Sequence, residues 1–250
     1  MSKGAVVITG ASRGIGAATA ILAARDAYPV CVNFLRNEDA AQAVVRQIEE
    51  LGGRAIAVQA DVADPDDVAA MFDKATANLG AVTGLVNNAG ILEKQTDFAG
   101  ISRERLDRIL RTNVVGSFLC AKEAIARMAK SAGGAGGAIV NVSSCAAKTG
   151  SPNEYIDYAM SKGAVDTMTI GLAREVAHDG IRVNAVRPGF IHTEMHADGG
   201  EPDRVDRLKS SIPLQRGGEP DEVARAIAWL LSDKASYCTG AFINIAGGIG

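Results

Sequence analysis

Tyr158 and Lys162 stand four residues apart, so on a helix they share one face. A phenol beside an ammonium is a proton-transfer device. The phenol ordinarily titrates near pH ~10, and a neighbouring cation favours the phenolate and lowers that value. Lowering it by about 3 units takes about 4 kcal/mol of differential interaction, which a close cation in a partly dry cleft supplies. A cationic cofactor ring would add to it. Just upstream, Ser143-Ser144 offers a hydroxyl, from either residue, that can donate to the same substrate oxygen. Tyr155 is a rival to Tyr158, but the residue four positions after it is Ala159. Tyrosine and lysine also meet at this spacing on helices that do no chemistry, so the pair takes its meaning from its surroundings.

Those surroundings begin with a strand at 138–142. Residues 143–162 read as its end, a polar loop and the first turns of a helix reaching about 178, with Val165, Met168, Leu172 and Val176 on one face and Gly180 past the end. The same alternation fills the chain. Further strands are expected at 5–9, 30–34, 55–60, 82–86, 181–187 and 241–246. Helices are expected from the first glycine turn to about 25, and at 38–51, 64–79, 102–130 and 220–231. Asp64-Pro65-Asp66-Asp67 is a strong start for the third of these, with a cap, a proline and first-turn acids. Strands alternating with helices and no internal repeat predict one α/β domain over 1–250. Its fold would be a single Rossmann-type, doubly wound parallel sheet of about seven strands with helices on both faces. Ligands of such sheets lie at the carboxyl ends of the strands, where every candidate falls. Asn113 is expected within the 102–130 helix, where asparagine is disfavoured. A side chain or water inserted there would distort the ladder, whereas an ordinary buried asparagine would not. Residues 193–218, polar and rich in Gly and Pro, are expected to form a lid over the site.

Thr9-Gly10-Ala11-Ser12-Arg13-Gly14-Ile15-Gly16 follows the first strand directly. Gly10 permits a sharp turn, and Gly14 and Gly16 leave room for phosphate oxygens and close helix packing. The helix that opens there offers N–H groups and a positive dipole end to a diphosphate. The spacing is GxxxGxG rather than GxGxxG, and no Gly-Lys-Ser/Thr follows. A plain glycine-rich turn would use the same residues, and only the placement after the first strand separates the two readings. An NAD site puts Asp or Glu after the second strand to hold the ribose 2′-hydroxyl, and an NADP site puts an arginine there. Here Val32-Asn33-Phe34-Leu35-Arg36 has no acid before Glu38. Arg36 and Arg13 read as cationic forks for a 2′-phosphate, though each alone would pass for a surface arginine. The expectation is NADP(H) preferred over NAD(H). Asp61, followed by Val62, borders the adenine pocket as a hydrogen-bond acceptor or serves as a turn residue. Asn87-Asn88-Ala89-Gly90 places small and amide residues at the end of the fourth strand, beside a flat ligand or in a simple turn.

The chain of 250 residues is 47% hydrophobic but only 4% aromatic, as suits a parallel sheet of small branched side chains. A net charge of −3 with no basic cluster argues against nucleic acid or an anionic membrane as partner. Cys31, Cys120, Cys145 and Cys238 are scattered, and His178, His192 and His196 stand apart from them. His192 and His196 are weak support for a metal, and none is expected. Thiols at apolar positions suggest a reducing cytoplasm. The first strand begins within five residues and no apolar run approaches ~20 residues, so neither a leader nor a membrane span is expected.

Taken in order, the glycine turn at 9–16, Asn87-Asn88-Ala89-Gly90, Asn113, a strand serine, Tyr158-x-x-x-Lys162 and Pro188-Gly189 resemble the short-chain dehydrogenase/reductase family over essentially the whole chain. The likeness is greatest to members described as sugar dehydrogenases or 3-oxoacyl-carrier-protein reductases. The resemblance implies hydride transfer between a nicotinamide and a small carbonyl or alcohol substrate. Tyr158 would be the general acid/base, and Lys162 would lower its pKa and bind the nicotinamide ribose. The strand serine would hold the substrate oxygen, and Asn113 a water that relays protons from Lys162. The cofactor would lie along Gly10, Ser12, Arg13, Gly14, Ile15, Gly16, Arg36, Asp61, Val62, Asn87, Ala89 and Gly90, with Pro188, Gly189, Ile191 and Thr193 at the carboxamide end. A homotetramer is implied, with the last strand and the 220–231 helix at an interface. The loop before Tyr158 is one residue longer than the family's usual spacing, so counting back lands on Cys145. The second serine of the pair matches the family, which selects Ser144 over Ser143. An S-adenosylmethionine methyltransferase would want an acid ending the second strand, and a catalytically idle cofactor-binding protein has no need of Asn113, Ser144, Tyr158 and Lys162 together.

Overall fold

The structure, a computed structural model, describes residues 3–249. Among these, seven strands form one sheet: β1 (Ala5–Ile8), β2 (Val30–Phe34), β3 (Ala55–Gln59), β4 (Val82–Asn87), β5 (Gly137–Val142), β6 (Ile181–Pro188) and β7 (Phe242–Ile245). Their spatial order is β3-β2-β1-β4-β5-β6-β7, and every neighbouring pair is parallel. Successive side chains of a strand point to opposite faces. In β1, Val6 and Ile8 therefore enter one core while Ala5 and Val7 enter another, and all four are fully buried. Burial on both faces is why these strands are continuous apolar runs rather than alternating ones.

The first face is covered by α1 (Gly14–Arg25), α2 (Glu38–Glu50) and α10 (Pro220–Leu231), through Ala20, Ile48 and Ile227. The second is covered by α3 (Pro65–Leu79), α5 (Ser117–Met128) and α7 (Ile156–Glu175), through Phe72, Ala124 and Ala173. The remaining helices are short: α4 (Arg103–Leu110), α6 (Ala146–Thr149), α8 (Met195–Asp198) and α9 (Arg204–Leu208). From β1 the chain steps outward through β2 and β3, then returns to the other side of β1 as β4. The strand order reverses there, so the loops after β1 and β4 diverge and leave a crevice at the carboxyl ends.

One element departs from the sequence expectation. The helix expected over 102–130 is α4, a π-helical turn at Arg111–Gly116, then α5. The stretch 193–218 carries α8 and α9. No helix among the described residues is long and apolar enough to cross a membrane. No group of three or more ligating side chains among them could hold a metal ion.

Candidate active site

The crevice floor is two turns locked to one another. Gly10 and Gly14 have φ of +60° and +55°, a conformation in which a Cβ would be strained. At Gly16 a Cβ would stand 2.5 Å from the Gly10 carbonyl oxygen. The Thr9 hydroxyl oxygen accepts from the N–H groups of Asn88 and Ala89, both at 2.9 Å. The Asn88 amide donates back to the carbonyls of Thr9 (2.9 Å) and Gly10 (3.0 Å). From β2, Asn33 Oδ1 accepts the Gly10 N–H at 3.1 Å. α1 then opens at Gly14 with no side-chain cap and no acid in its first turn. Helix N–H groups left without caps beside small residues are suited to a diphosphate, so the residues present fit a nicotinamide dinucleotide.

The flanking candidates are placed as follows. Ser12 and Ile15 are half-buried, and Arg36 is exposed past β2. Arg13 forms an ion pair with Asp198 of α8. Asp61 accepts from the Ala63 N–H (2.9 Å) and faces Arg111 (3.1 Å), while Val62 is buried against Gly116. Asn87 turns inward, its Nδ2 donating to the Ser117 carbonyl (3.1 Å) and to Asn141 Oδ1 (2.9 Å), while its own Oδ1 is buried without a partner. Pro188 ends β6, Gly189 N–H donates to the Ile245 carbonyl at 3.0 Å, and Ile191 is buried. Thr193 lies against the glycine turn: a Cβ on Gly14 would sit 3.3 Å from its Cγ2.

Tyr158 sits in the first turn of α7, with Lys162 one turn on. Lys162 Nζ donates to the carbonyl of Val142, the last residue of β5, at 2.8 Å, and lies 5.6 Å from the Tyr158 ring centre. A Cβ at Gly90 would be 3.5 Å from that Nζ and 3.3 Å from Asn113 Oδ1. The turn after β4, the end of β5 and α7 thus converge on one spot. The two serines separate as strand alternation requires. Ser143 is buried, and its hydroxyl points to the Lys162 carbonyl at 3.4 Å. Ser144 is half-buried beside the Tyr158 side chain, and its hydroxyl accepts the Ala146 N–H at 3.1 Å. Tyr155 packs beneath the Arg204 guanidinium, 5.0 Å from its ring centre.

The expected lowering of the phenol pKa is not found. Burial dominates and pushes Tyr158 up to about 12, against the Ser144 hydrogen bond and with the Cys145 thiol adding to the rise. Burial likewise takes Lys162 down to about 8, opposed by the Asp166 carboxylate one turn further on. The sequence shows the proximity of ammonium and phenol. It does not show that the ammonium is buried beside a half-buried phenol, nor that it is turned onto a backbone carbonyl.

Asn113 explains the π-helical turn. It is fully buried; Oδ1 accepts the Ile91 N–H (2.8 Å), and Nδ2 donates to the Ile91 carbonyl (3.1 Å) and Ser161 Oγ (3.0 Å). Its own carbonyl takes the Ser117 hydroxyl at 2.9 Å. The residue ties the chain after β4 to α7 beneath Lys162, and widening the helix by one residue lets it reach both. Sequence reasoning missed Asn33, Thr9 and Asn88 as the brace of the glycine turn. It also missed three ion pairs around the cleft: Arg105–Asp157, Arg204–Glu154 and Arg187–Asp166. Only Asp166 left a signal, four residues beyond Lys162.

Residues 10–250 match the family model described as enoyl-(acyl carrier protein) reductase. The chain is 59% identical over 242 residues to the uncharacterized oxidoreductase YgfF of Escherichia coli, covering 97% of this chain and 98% of that protein. It is 39% identical over 249 residues to the 3-oxoacyl-[acyl-carrier-protein] reductase FabG of Staphylococcus aureus, covering 100% and 98%. A crystal structure of a short-chain type dehydrogenase/reductase from Mycobacterium marinum superposes with a TM-score of 0.92 at 37% identity, covering 99% and 96% of the two chains. With likeness of this extent around the same crevice, the chain belongs to the short-chain dehydrogenase/reductase family and is an oxidoreductase acting on carbonyl or alcohol groups.

Proposed function

We propose that this enzyme reduces a small carbonyl compound with NADP(H), Tyr158 giving the proton and Ser144 donating a hydrogen bond to the same oxygen. The observation that carries this reading is the meeting of the Tyr158–Ser144 pair with Lys162 and Gly90 at the mouth of the crevice. The bound dinucleotide supplies the hydride. Its diphosphate suits the glycine turn and the start of α1, and its 2′-phosphate suits Arg36 and Arg13 where no acid follows β2.

A phenol raised to about 12 holds its proton at neutral pH. It is therefore loaded to protonate an oxygen on which charge develops, and poorly set to act as a base. The direction of turnover is set by the cofactor pair, and an NADP(H) preference leans it towards reduction. Ser144 stabilises the developing charge on that oxygen. Lys162 holds the nicotinamide ribose and returns a proton to Tyr158, and Asn113 completes the relay towards solvent. Residues 193–218 close over the substrate as a lid. The whole chain acts as one domain within a cytoplasmic homotetramer.

The test is steady-state turnover of ketones, sugars and 3-oxoacyl thioesters, the last suggested by the FabG relative. Expected is a kcat/KM at least about tenfold higher with NADPH than with NADH. Tyr158→Phe is expected to lose about 1,000-fold or more in kcat while keeping its NADPH affinity. Near-native turnover in that variant removes Tyr158 from the mechanism, and equal use of NADH removes the 2′-phosphate reading.

A further inference from the structure

Arg105 and Asp157 form an ion pair with side chains only 10% and 1% exposed. Arg105 Nε donates to Asp157 Oδ2 at 2.6 Å and Nη2 to Oδ1 at 3.2 Å. The remaining guanidinium nitrogen donates to the Lys94 carbonyl. Asp157 Oδ1 also accepts the backbone N–H of Tyr158 at 2.9 Å. One guanidinium therefore joins three segments: α4, which carries it, the loop between β4 and α4, and the first turn of α7.

Stability alone gives little reason for this arrangement. A buried ion pair is a weak stabiliser, and apolar residues of similar volume often serve as well or better. An acid in the first turn of α7 would satisfy that helix end at the surface without an arginine. What a buried bidentate fork supplies is fixed geometry, because a planar guanidinium bonds a carboxylate in one orientation. The ion pair between α4 and the same loop, Arg108 Nε to Glu93 Oε1 at 2.7 Å, is by contrast exposed.

We propose that the Arg105–Asp157 pair is a positioning clamp for Tyr158. It fixes the first turn of α7 against the loop through Lys94, holding the Tyr158 hydroxyl at Ser144 and in register with the residues that rim the cleft. The inference rests on Tyr158 being the proton donor. Proton transfer needs heavy atoms about 2.6–3.2 Å apart, and a misplacement of about 1 Å costs on the order of 100-fold in rate.

The experiment compares R105M/D157N, which carries no buried charge, and R105K, which keeps the charge but loses the fork. Each is assayed with NADPH and whichever of the ketones, sugars and 3-oxoacyl thioesters the native enzyme reduces fastest. Expected are melting temperatures near native, NADPH Kd within about twofold by fluorescence titration, and kcat lower by about 100-fold and 10-fold respectively. KM for the carbonyl is expected to change far less than kcat. Native kcat in a folded variant overturns the clamp, as does a loss matching only the fraction of protein unfolded. Should the double variant fail to fold, R105K decides. Tyr158→Phe in the same assay separates the two readings. If it is inactive while the clamp variants turn over normally, the clamp alone is wrong; if it is active, the proton-donor reading and the clamp fall together.

Discussion

At Tyr158 two influences oppose, and burial wins. Removing a phenol from water disfavours its anion, and the cation that would offset this is itself partly desolvated and bonded to Val142. The pH dependence follows from the order of the two values. Lys162 titrates at about 8 and Tyr158 at about 12, so as pH rises the ammonium is lost first. Reductive kcat/KM should be flat from about pH 6 to near 8 and fall above, with Lys162 as the group on the alkaline limb. Asp166 favours the charged form of Lys162, and its Oδ2 is held by Arg187 at 2.8 Å. Asp166→Asn removes that support and leaves the Arg187 charge less opposed, and both changes disfavour the ammonium. The limb should move to lower pH in this variant. A pH–rate profile of native and variant enzymes checks it, and a limb that stays put or moves up would show that Asp166 is not felt at Lys162.

Among the elements, the interrupted helix between α4 and α5 has the most specific cause. A regular helix through Asn113 could not serve both Ile91 and Ser161, so the ladder widens where that side chain must reach. Asn113→Ala would leave the Ile91 N–H and carbonyl without these partners in a largely buried place. The expected loss is about 2–4 kcal/mol of unfolding free energy, read from urea denaturation. A change under about 0.5 kcal/mol would mean that the π-helical turn does not depend on Asn113. The mid-helix asparagine was visible in the sequence as an anomaly; its partner, Ile91, was not. That contrast runs through the fold. The start of α3 was legible because Asp64 caps its own neighbours, accepting from Asp66 and Asp67 at 3.0 and 3.1 Å. Strands, crossovers and the Tyr158–Lys162 spacing were legible for the same reason, since each is a local pattern. Arg105 and Asp157 lie 52 residues apart, with nothing in either neighbourhood to pair them. The choice of Ser144 needed the family's order as well as strand alternation, because an extra loop residue shifted the count.

On the scale of the whole molecule, α7 has two working sides. Lys162, Asp166 and Thr169 turn inward, whereas Met160 and Ile170 are exposed, as are Val115 of the π-helical turn and Phe118 of α5. At the other end of the sheet β7 is an edge strand, with Trp229 of α10 and Tyr237 also exposed. Unpaired edges and large exposed apolar side chains are what association covers, and two separate faces of this kind suit a tetramer built from two kinds of contact. Burying one phenylalanine side chain contributes about 2 kcal/mol, and a two-fold contact repeats every such gain. Light scattering on the purified 25.8 kDa chain should therefore report a homotetramer, and a monomeric native protein would sink the assignment. Phe118→Glu with Met160→Glu places four carboxylates in a two-fold contact, and should leave dimers joined through β7 and α10. Because α7 carries Tyr158 on the opposite side, those dimers should also turn over more slowly while binding NADPH as before. Dimers with native kcat would show that α7 is held in place by its own chain alone, through contacts such as Asn113 to Ser161 and Asp157 to Arg105.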